Sequence, residues 1–127
     1  MSGWPGAIFA ITLFAEDLPA TRRFYTEVFD LPVVFEDANS AVFQLGDTLV
    51  NLLAVSQAPG LIAPAPVAPA DGSARFQLTL KVADVDEMCA ELARRGVTLL
   101  NGPMDRPWGP RTATFRDPTG TIWEIAS

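Results

Sequence analysis

The sequence predicts an α+β fold in which two βαβββ modules form curved mixed sheets around a cleft. Two observations support this prediction. A strand-like segment beginning at Phe9 matches one beginning at Phe76 at a constant offset, and each segment ends at an aspartate, Asp17 or Asp84, that can cap a following helix. Three short strands follow each helix. A single copy would leave an apolar sheet face exposed, so two copies are expected to enclose a shared interior.

The chain of 127 residues is expected to form one domain over residues 1–127, because this length is sufficient to bury a core. The modules are predicted at residues 7–55 and 74–127, joined by a connector rich in Pro and Ala at residues 56–73. The connector lacks hydrophobic periodicity, so we interpret it as a linker, with a functional lid as the alternative. Its length allows the modules to pair within one chain or to swap between two.

Each element of the two modules has a local signal. Alternating β-forming residues predict the strands, and Asp, Asn, Gly and Pro mark the turns. In the first module these signals predict a strand at 8–14, a helix that starts at Asp17 and is stopped by Pro32, and strands at 33–36, 41–45 and 48–54. In the second they predict a strand at 75–82, a helix from Asp84 to Gly96, a strand at 97–100, a loop at 102–110, and a closing hairpin at 112–116 and 121–126.

The closing hairpin contains the first candidate for chemistry, Glu124. Its turn at residues 117–120 combines an Asp that can accept hydrogen bonds from the backbone ahead of it with a Gly that accepts a positive φ. Alternation puts Glu124 on the same strand face as Ile122 and Ala126, and Trp123 on the opposite face. A carboxylate among apolar neighbours must reach water or meet a partner. Glu124 is therefore a candidate binding or catalytic residue.

Composition excludes several function classes. The net charge of −6 argues against nucleic acids and anionic membranes as partners, because phosphate binding requires a basic patch. The sequence has no histidine, which excludes Ser-His-Asp and Cys-His catalysis. Its single cysteine, Cys89, allows no internal disulfide and favours a cytoplasmic location. The apolar run at residues 7–15 is too short to span a membrane and is expected to be a buried strand.

The two-module pattern resembles the vicinal oxygen chelate superfamily, the group of glyoxalase I, bleomycin-resistance proteins and extradiol dioxygenases. The resemblance rests on the segment DLPATRRFY at residues 17–25, after the first strand, and on DPTGTIWE at residues 117–124. It covers nearly the whole chain, and its motifs are more specific for the fold than for an activity. It implies a small organic ligand and a homodimer.

In metal-using members of this superfamily, four inward-facing residues bind one divalent ion. The positions carried over to this sequence are Ala10, Asn51, Gln77 and Glu124. Ala10 has no ligand atom, and only Glu124 carries a charge. Hard divalent ions usually need more than one carboxylate, whereas zinc, iron and nickel favour His or Cys. We therefore expect no resident metal or other cofactor, with weak divalent binding through Glu124, Gln77, Asn51 and water as the alternative.

Without a metal, the implied cleft is an apolar site with a few polar groups, as is usual for small-molecule sites. The expected ligand-binding residues are Ala10, Asn51, Gln77, Glu124, Phe14, Phe43, Trp108 and Arg111. Carboxylates and aromatic rings both favour cations. The leading hypothesis is a non-catalytic small-molecule-binding protein that sequesters an aromatic or cationic compound.

Other interpretations remain open. Glu124 is the expected general base or metal ligand if the chain is a lyase, isomerase or dioxygenase-type enzyme, with a glyoxalase-type lyase or isomerase as the expected class. A domain that serves only association, its cavity filled by its own side chains, is a third interpretation. Arg106 and Arg111 flank Trp108 and are candidates for holding an anionic substrate, with a plain surface role as the alternative. Core packing is the alternative for each phenylalanine.

Overall fold

The computed structural model describes residues 3–72 and 74–127. The chain divides into two compact units between Val67 and Ala68, inside the predicted connector. Three residues lie outside the described ones. They are Met1 and Ser2 of the predicted domain and Ser73, the last residue of the predicted connector. None of the helices in the described part of the chain is long and apolar enough to cross a membrane.

Each unit has the element order βαβββ. The first contains β1 (Ala10–Ala15), α1 (Leu18–Glu27), β2 (Val33–Glu36), β3 (Ser40–Leu45) and β4 (Thr48–Ala54), followed by a 3-10 turn (Val55–Gln57) and the short helix α2 (Pro59–Ile62). The second contains β5 (Gln77–Lys81), α3 (Val85–Arg94), β6 (Leu99–Asp105), β7 (Arg111–Arg116) and β8 (Ile122–Ala126). The connector therefore carries short helical turns rather than being entirely irregular.

The two sheets have the same topology. Their strand orders are β1-β4-β3-β2 and β5-β8-β7-β6. In each sheet the first strand pairs in parallel with the last, and the remaining pairs are antiparallel. Two four-stranded mixed sheets accompanied by few helices confirm the predicted α+β class and its two βαβββ modules.

The helix caps predicted from the sequence are present. A carboxylate oxygen of Asp17 accepts a hydrogen bond from the backbone N–H of Ala20 at 3.0 Å. In the second unit a carboxylate oxygen of Asp84 accepts from the N–H of Glu87 at 3.1 Å. Gly96 follows α3 with φ of +82°, the left-handed conformation that commonly ends a helix. Short side-chain contacts thus define both helix starts, as the sequence predicted.

α1 ends earlier than predicted. Its last residue is Glu27, whereas the sequence pattern set the stop at Pro32. The chain turns at Asp30, whose φ of +53° is incompatible with a right-handed helix. The prediction of Pro32 as the stop was wrong, because this turn in the backbone comes before the proline.

β6 is longer than predicted and extends through residues assigned to a loop. It pairs with β7 across two register shifts, on either side of Asn101. Gly102 lies at the second irregularity with φ of +88°, and a Cβ there would be 2.5 Å from the carbonyl oxygen of Thr112. A glycine followed by a proline is tolerated because β6 is an edge strand with bulges. The loop prediction at 102–110 was therefore wrong for its first four residues, up to Asp105.

The helix-facing side of each sheet forms its core. In the first unit α1 packs on β3 and β4, where Tyr25 and Phe43 are both fully buried with ring centroids 5.6 Å apart. In the second unit α3 packs on β6 and β7, and Phe115, Trp123 and Ile125 are buried. Because side chains alternate along a strand, the remaining residues face the other side of each sheet.

Candidate functional site

A row of four polar side chains crosses the second sheet. The main-chain register pairs Asn101 on β6 with Thr114 on β7, Thr114 with Glu124 on β8, and Glu124 with Thr79 on β5. Residues paired in this way share a face of the sheet, with neighbouring Cβ atoms about 5 Å apart. We call these four residues, Asn101, Thr114, Glu124 and Thr79, the polar row.

The polar row lies on the sheet face opposite α3. Arg111 on β7 binds the carboxylate of Asp86 on α3, so its side chain is on the helix side. Ala113 and Phe115, which alternate with Thr114, are buried on that same side. Thr114 and its cross-strand partners therefore project from the other face.

Glu124 is partly buried and is held by a neighbouring strand. One of its carboxylate oxygens, Oε1, accepts a hydrogen bond from the Thr79 hydroxyl at 3.0 Å. Its partners across the sheet are threonines on both sides, Thr79 and Thr114. The apolar neighbours expected from the sequence, Ile122 and Ala126, flank Glu124 along β8, but its neighbours across the sheet are polar. Alternation along one strand does not reveal the residues beside it on the next strand.

Thr114 carries the most unusual polar atom of the row. Its side chain is 4% exposed, and among the described residues its hydroxyl oxygen has no hydrogen-bond partner. Leaving a buried hydroxyl unpaired costs about 1–3 kcal/mol. Such groups are rare in native proteins and usually meet a water or a ligand. The Thr114 hydroxyl is therefore a position where a bound molecule would gain a hydrogen bond.

Arg106 closes one end of the polar row. Its Nε donates to the hydroxyl of Thr112 at 2.8 Å, and its Nη2 donates to the side-chain oxygen of Asn101 at 3.1 Å. The centre of its guanidinium lies 5.8 Å from the ring centroid of Trp108, within range of a cation–π contact. Trp108 is 72% exposed, so its ring is accessible from solvent.

Three of the predicted ligand-binding residues share one face of the first sheet. Asn51 on β4 pairs with Thr12 on β1, and its Nδ2 donates to the Thr12 hydroxyl at 3.4 Å. Ala10 and Phe14 flank Thr12 at alternate positions on β1 and therefore project to the same side. Of the four positions carried over from the resemblance, Ala10 and Asn51 belong to this sheet.

Gln77 lies close to Glu124 along the second sheet. It precedes Thr79 by two residues on β5 and pairs with Ile122, so it shares the face of the polar row one step away. It is exposed. The structure therefore brings Gln77 and Glu124 to one face, although the direct partner of Glu124 is Thr79.

Phe43 and Arg111 do not belong to these faces. Phe43 is fully buried against Tyr25 in the core of the first unit, so its assignment as a wall of a ligand site was wrong. Arg111 points toward α3 and forms salt bridges with Asp86 at 2.9 Å and Asp105 at 3.1 Å. The hydrogen bonds that the guanidinium donates to these carboxylates, first to Asp86 and then to Asp105, raise the pKa of Arg111. Its donors serve a surface ion-pair network, which corrects the expectation that Arg111 faces a ligand.

The donor set does not fit a resident metal ion. Within residues 3–72 and 74–127, no three His, Cys, Asp or Glu side chains lie close enough together to hold one. Glu124 is the only carboxylate among the four positions carried over, and Thr79 already donates to one of its oxygens. Divalent ions in proteins usually require several charged or imidazole ligands. We therefore derive no chemistry through a metal.

Four residues of this region were not predicted from the sequence: Thr79, Asn101, Thr112 and Thr114. One signal was available, since the Thr-Ala-Thr alternation at residues 112–114 places two hydroxyls on one face of a strand. Their alignment with Glu124 and Arg106 required the register between strands, which the bulges of β6 shift.

Comparisons with known proteins agree with this architecture. A profile described as the Glyoxalase/Bleomycin resistance protein/Dioxygenase superfamily matches residues 7–125. The chain is also similar to the uncharacterised protein YraH of Bacillus subtilis (strain 168), at 30% identity over 119 residues, which covers 91% of this chain and 93% of that protein.

Solved structures show the same fold. A lactoylglutathione lyase from Agrobacterium tumefaciens has a TM-score of 0.73 and 25% identity, covering 97% of this chain and 94% of that one. A glyoxalase-related enzyme from Fulvimarina pelagi has a TM-score of 0.80 and 27% identity, covering 96% and 88%. A glyoxalase/bleomycin resistance protein/dioxygenase from Nocardioides has a TM-score of 0.84 at 22% identity, covering 98% and 85%.

Proposed function

Because the chain belongs to the glyoxalase/bleomycin resistance protein/dioxygenase superfamily, we propose that it is a metal-independent protein that binds a small organic molecule over the polar row. The buried Thr114 hydroxyl, which has no partner among the described residues, is the observation that carries the proposal. A ligand group that pairs with this hydroxyl would remove the cost of leaving it unsatisfied.

The chemistry beside Thr114 supports an aromatic or cationic ligand. Glu124 supplies a negative charge one strand away, and the exposed ring of Trp108 supplies an aromatic surface near Arg106. Carboxylates attract cations, and aromatic rings attract both cations and other rings. Binding to sequester such a compound in the cytoplasm is part of this proposal, and the single cysteine, Cys89, supports the compartment.

Thr114→Val tests this proposal, because valine keeps the shape of the side chain and removes only the hydroxyl. Melting temperatures would be measured for wild type and variant with a panel of aromatic amines, aromatic carboxylates and their neutral amides. We expect a binder to raise the melting temperature of wild type by several degrees and that of Thr114→Val by about half as much or less. The ligand-free variant should be as stable as wild type or more so, since an unpaired buried hydroxyl is removed.

Two controls define the result. Thr26→Val changes an exposed helix threonine whose hydroxyl donates to the carbonyl of Arg22, far along the chain from the polar row, and should leave binding unchanged. Dialysis against a chelator should also leave binding unchanged. A binder whose effect survives Thr114→Val, or disappears with the chelator and returns with a divalent ion, would refute the proposal.

A second candidate function is a lyase or isomerase that uses Glu124 as a general base. The similarity to a lactoylglutathione lyase favours it, as does the hydrogen bond from Thr79, which orients the carboxylate. Assays with glyoxalase-type and dioxygenase-type substrates would be run on wild type and Glu124→Gln. Turnover by wild type without added metal, if it is abolished in Glu124→Gln, would support an enzyme. Binding without turnover would instead support the sequestering function.

A further inference from the structure

Arg106 has a guanidinium group that is held in place by neutral partners. Its two side-chain hydrogen bonds go to the hydroxyl of Thr112 and the amide oxygen of Asn101. In the described part of the chain no carboxylate lies within ion-pairing distance of it. Arg111, on the other side of the same loop, has two carboxylate partners, Asp86 and Asp105.

Arg106 differs from Arg111 in lacking an anionic partner among the described residues, although the chain is acidic. Fifteen Asp and Glu residues outnumber nine Lys and Arg, so carboxylates are plentiful, yet the partly buried Arg106 meets none among the described residues. A guanidinium has five N–H donors in a rigid plane, and two of them account for the contacts with Thr112 and Asn101. The others are oriented in advance, because these contacts and the Trp108 ring restrict the plane.

A planar guanidinium with donors to spare matches one class of ligand group best. Carboxylates bind arginine through two parallel hydrogen bonds, a geometry that a point charge such as lysine does not reproduce. A partly buried cation without a protein anion gains most from an anion that the ligand brings. The end of the polar row at Arg106 is therefore a position for a carboxylate.

Glu124 lies on the other side of Thr114 from Asn101, which holds Arg106. Strands in a sheet are about 4.8 Å apart, so β6 and β8 are separated by about 10 Å. The buried Thr114 hydroxyl, without a partner among the described residues, is between a cationic end and an anionic end. A small molecule of one aromatic ring with a substituent at each end has a suitable length.

We propose that the ligand is a small zwitterionic molecule whose carboxylate is bound by Arg106 and whose amine faces Glu124. The inference rests on the proposed function, because it uses the same site, and it adds the class of ligand. Thr114 would hydrogen-bond the ligand between its two charged groups.

The test uses three matched probes: para-aminomethylbenzoate, its amide para-aminomethylbenzamide, and para-methylbenzoate, which lacks the amine. Dissociation constants would be measured by calorimetry for wild type, Arg106→Gln and Arg106→Lys. Wild type should bind the zwitterion about tenfold more tightly than either single-charge probe, as loss of a charged hydrogen-bonded pair predicts.

The ratio of affinities for the acid and the amide separates carboxylate binding from a structural role. Arg106→Gln should weaken binding of the acid about tenfold while leaving the amide unchanged, and Arg106→Lys should recover only part of the loss because it cannot form the bidentate contact. A purely structural defect would weaken both probes alike and lower the melting temperature. Arg23→Gln, which removes an exposed charge on α1, is the charge-matched control and should change neither affinity.

The outcomes distinguish this inference from the proposed function. If wild type binds the acid and the amide equally and this binding still depends on Thr114, the zwitterionic ligand class is refuted and the small-molecule site is retained. If none of the three probes binds, the zwitterionic ligand class is also refuted. The proposed function is then decided by the panel of aromatic amines, aromatic carboxylates and neutral amides described for Thr114→Val. If Arg106→Gln still binds the acid more tightly than the amide, another group binds the carboxylate. This result would refute the inference.

Discussion

At the scale of single residues, the hairpin turn depends on one buried carboxylate. Asp117 is 4% exposed, and its Oδ2 accepts a hydrogen bond from the indole N–H of Trp123 at 3.1 Å. Its Oδ1 accepts from the backbone N–H groups of Thr119 at 2.8 Å and Thr121 at 3.3 Å. A buried carboxylate is tolerable when its oxygens are satisfied in this way. The local bonding that the sequence indicated for Asp117 thus continues into the core through Trp123.

Asp117→Ala should therefore be strongly destabilising. It removes the hydrogen bonds that Asp117 accepts from two backbone N–H groups and from the buried Trp123 indole, which should lower the free energy of unfolding by about 3 kcal/mol. Urea denaturation followed by tryptophan fluorescence would measure the change. The matched control Asp47→Ala, at an exposed turn position, should change stability by less than about 0.5 kcal/mol. Equal effects of the two substitutions would contradict this account.

At the scale of elements, two glycines with the same backbone conformation have different roles. Gly96 after α3 and Gly120 in the β7–β8 turn have φ of +82° and +86°. A Cβ at Gly96 would meet open space, whereas one at Gly120 would lie 1.9 Å from the carbonyl oxygen of Ala70. The first glycine relieves conformational strain alone, and the second also permits the connector to approach the turn.

Replacing each glycine with alanine should separate these contributions. Gly96→Ala should cost about 1 kcal/mol, the usual penalty for a side chain in the left-handed conformation. Gly120→Ala should cost at least about 2 kcal/mol more, because the backbone of the connector must move away. Thermal unfolding of both variants provides the comparison. If the two melting temperatures fell equally, the contact with Ala70 would contribute nothing to stability.

The register between strands is the second property at this scale. β6 reaches its alignment with β7 through irregularities on either side of Asn101, and this alignment brings Asn101 opposite Thr114. A shift of one residue would transfer every side chain to the other face. The polar row therefore exists because the bulges of an edge strand set its pairing, which no single strand pattern specifies.

At the scale of the whole molecule, β2 is an edge strand with exposed apolar side chains. Val33, Val34 and Phe35 are 43%, 52% and 54% exposed, and β2 has one neighbour, β3, in its sheet. An open edge with apolar residues favours pairing with another chain unless it is protected. We propose that this edge contributes to association with a second copy, in line with the homodimer expected from the family resemblance.

Val34→Lys tests association through β2, because an edge lysine opposes pairing. Light scattering after size-exclusion chromatography should give the mass of a dimer for wild type and a smaller mass for the variant at the same concentration. Thr26→Lys, with the same change in charge on the exposed surface of α1, should remain dimeric. A wild-type monomer, or a dimer unaffected by Val34→Lys, would exclude this edge as the interface.

The sequence by itself determined the architecture of this protein. The two βαβββ units, the helix starts at Asp17 and Asp84, and the glycine of the last turn all followed from patterns within a few residues, because capping and turn formation depend on local backbone geometry. The superfamily followed from the repeat of these local patterns.

Only the tertiary structure decided which polar groups meet. Thr79 reaches Glu124 across 45 positions, and Thr114 and Arg106 join the same face through the pairing of β6, β7 and β8. Alternation assigns a side chain to one of two faces, but it does not determine which face a helix covers or which residue lies opposite on the next strand. For that reason Phe43 and Arg111 were expected to bind a ligand although their side chains lie on the helix side of their sheets, while the buried hydroxyl of Thr114 became visible only when the strands were aligned.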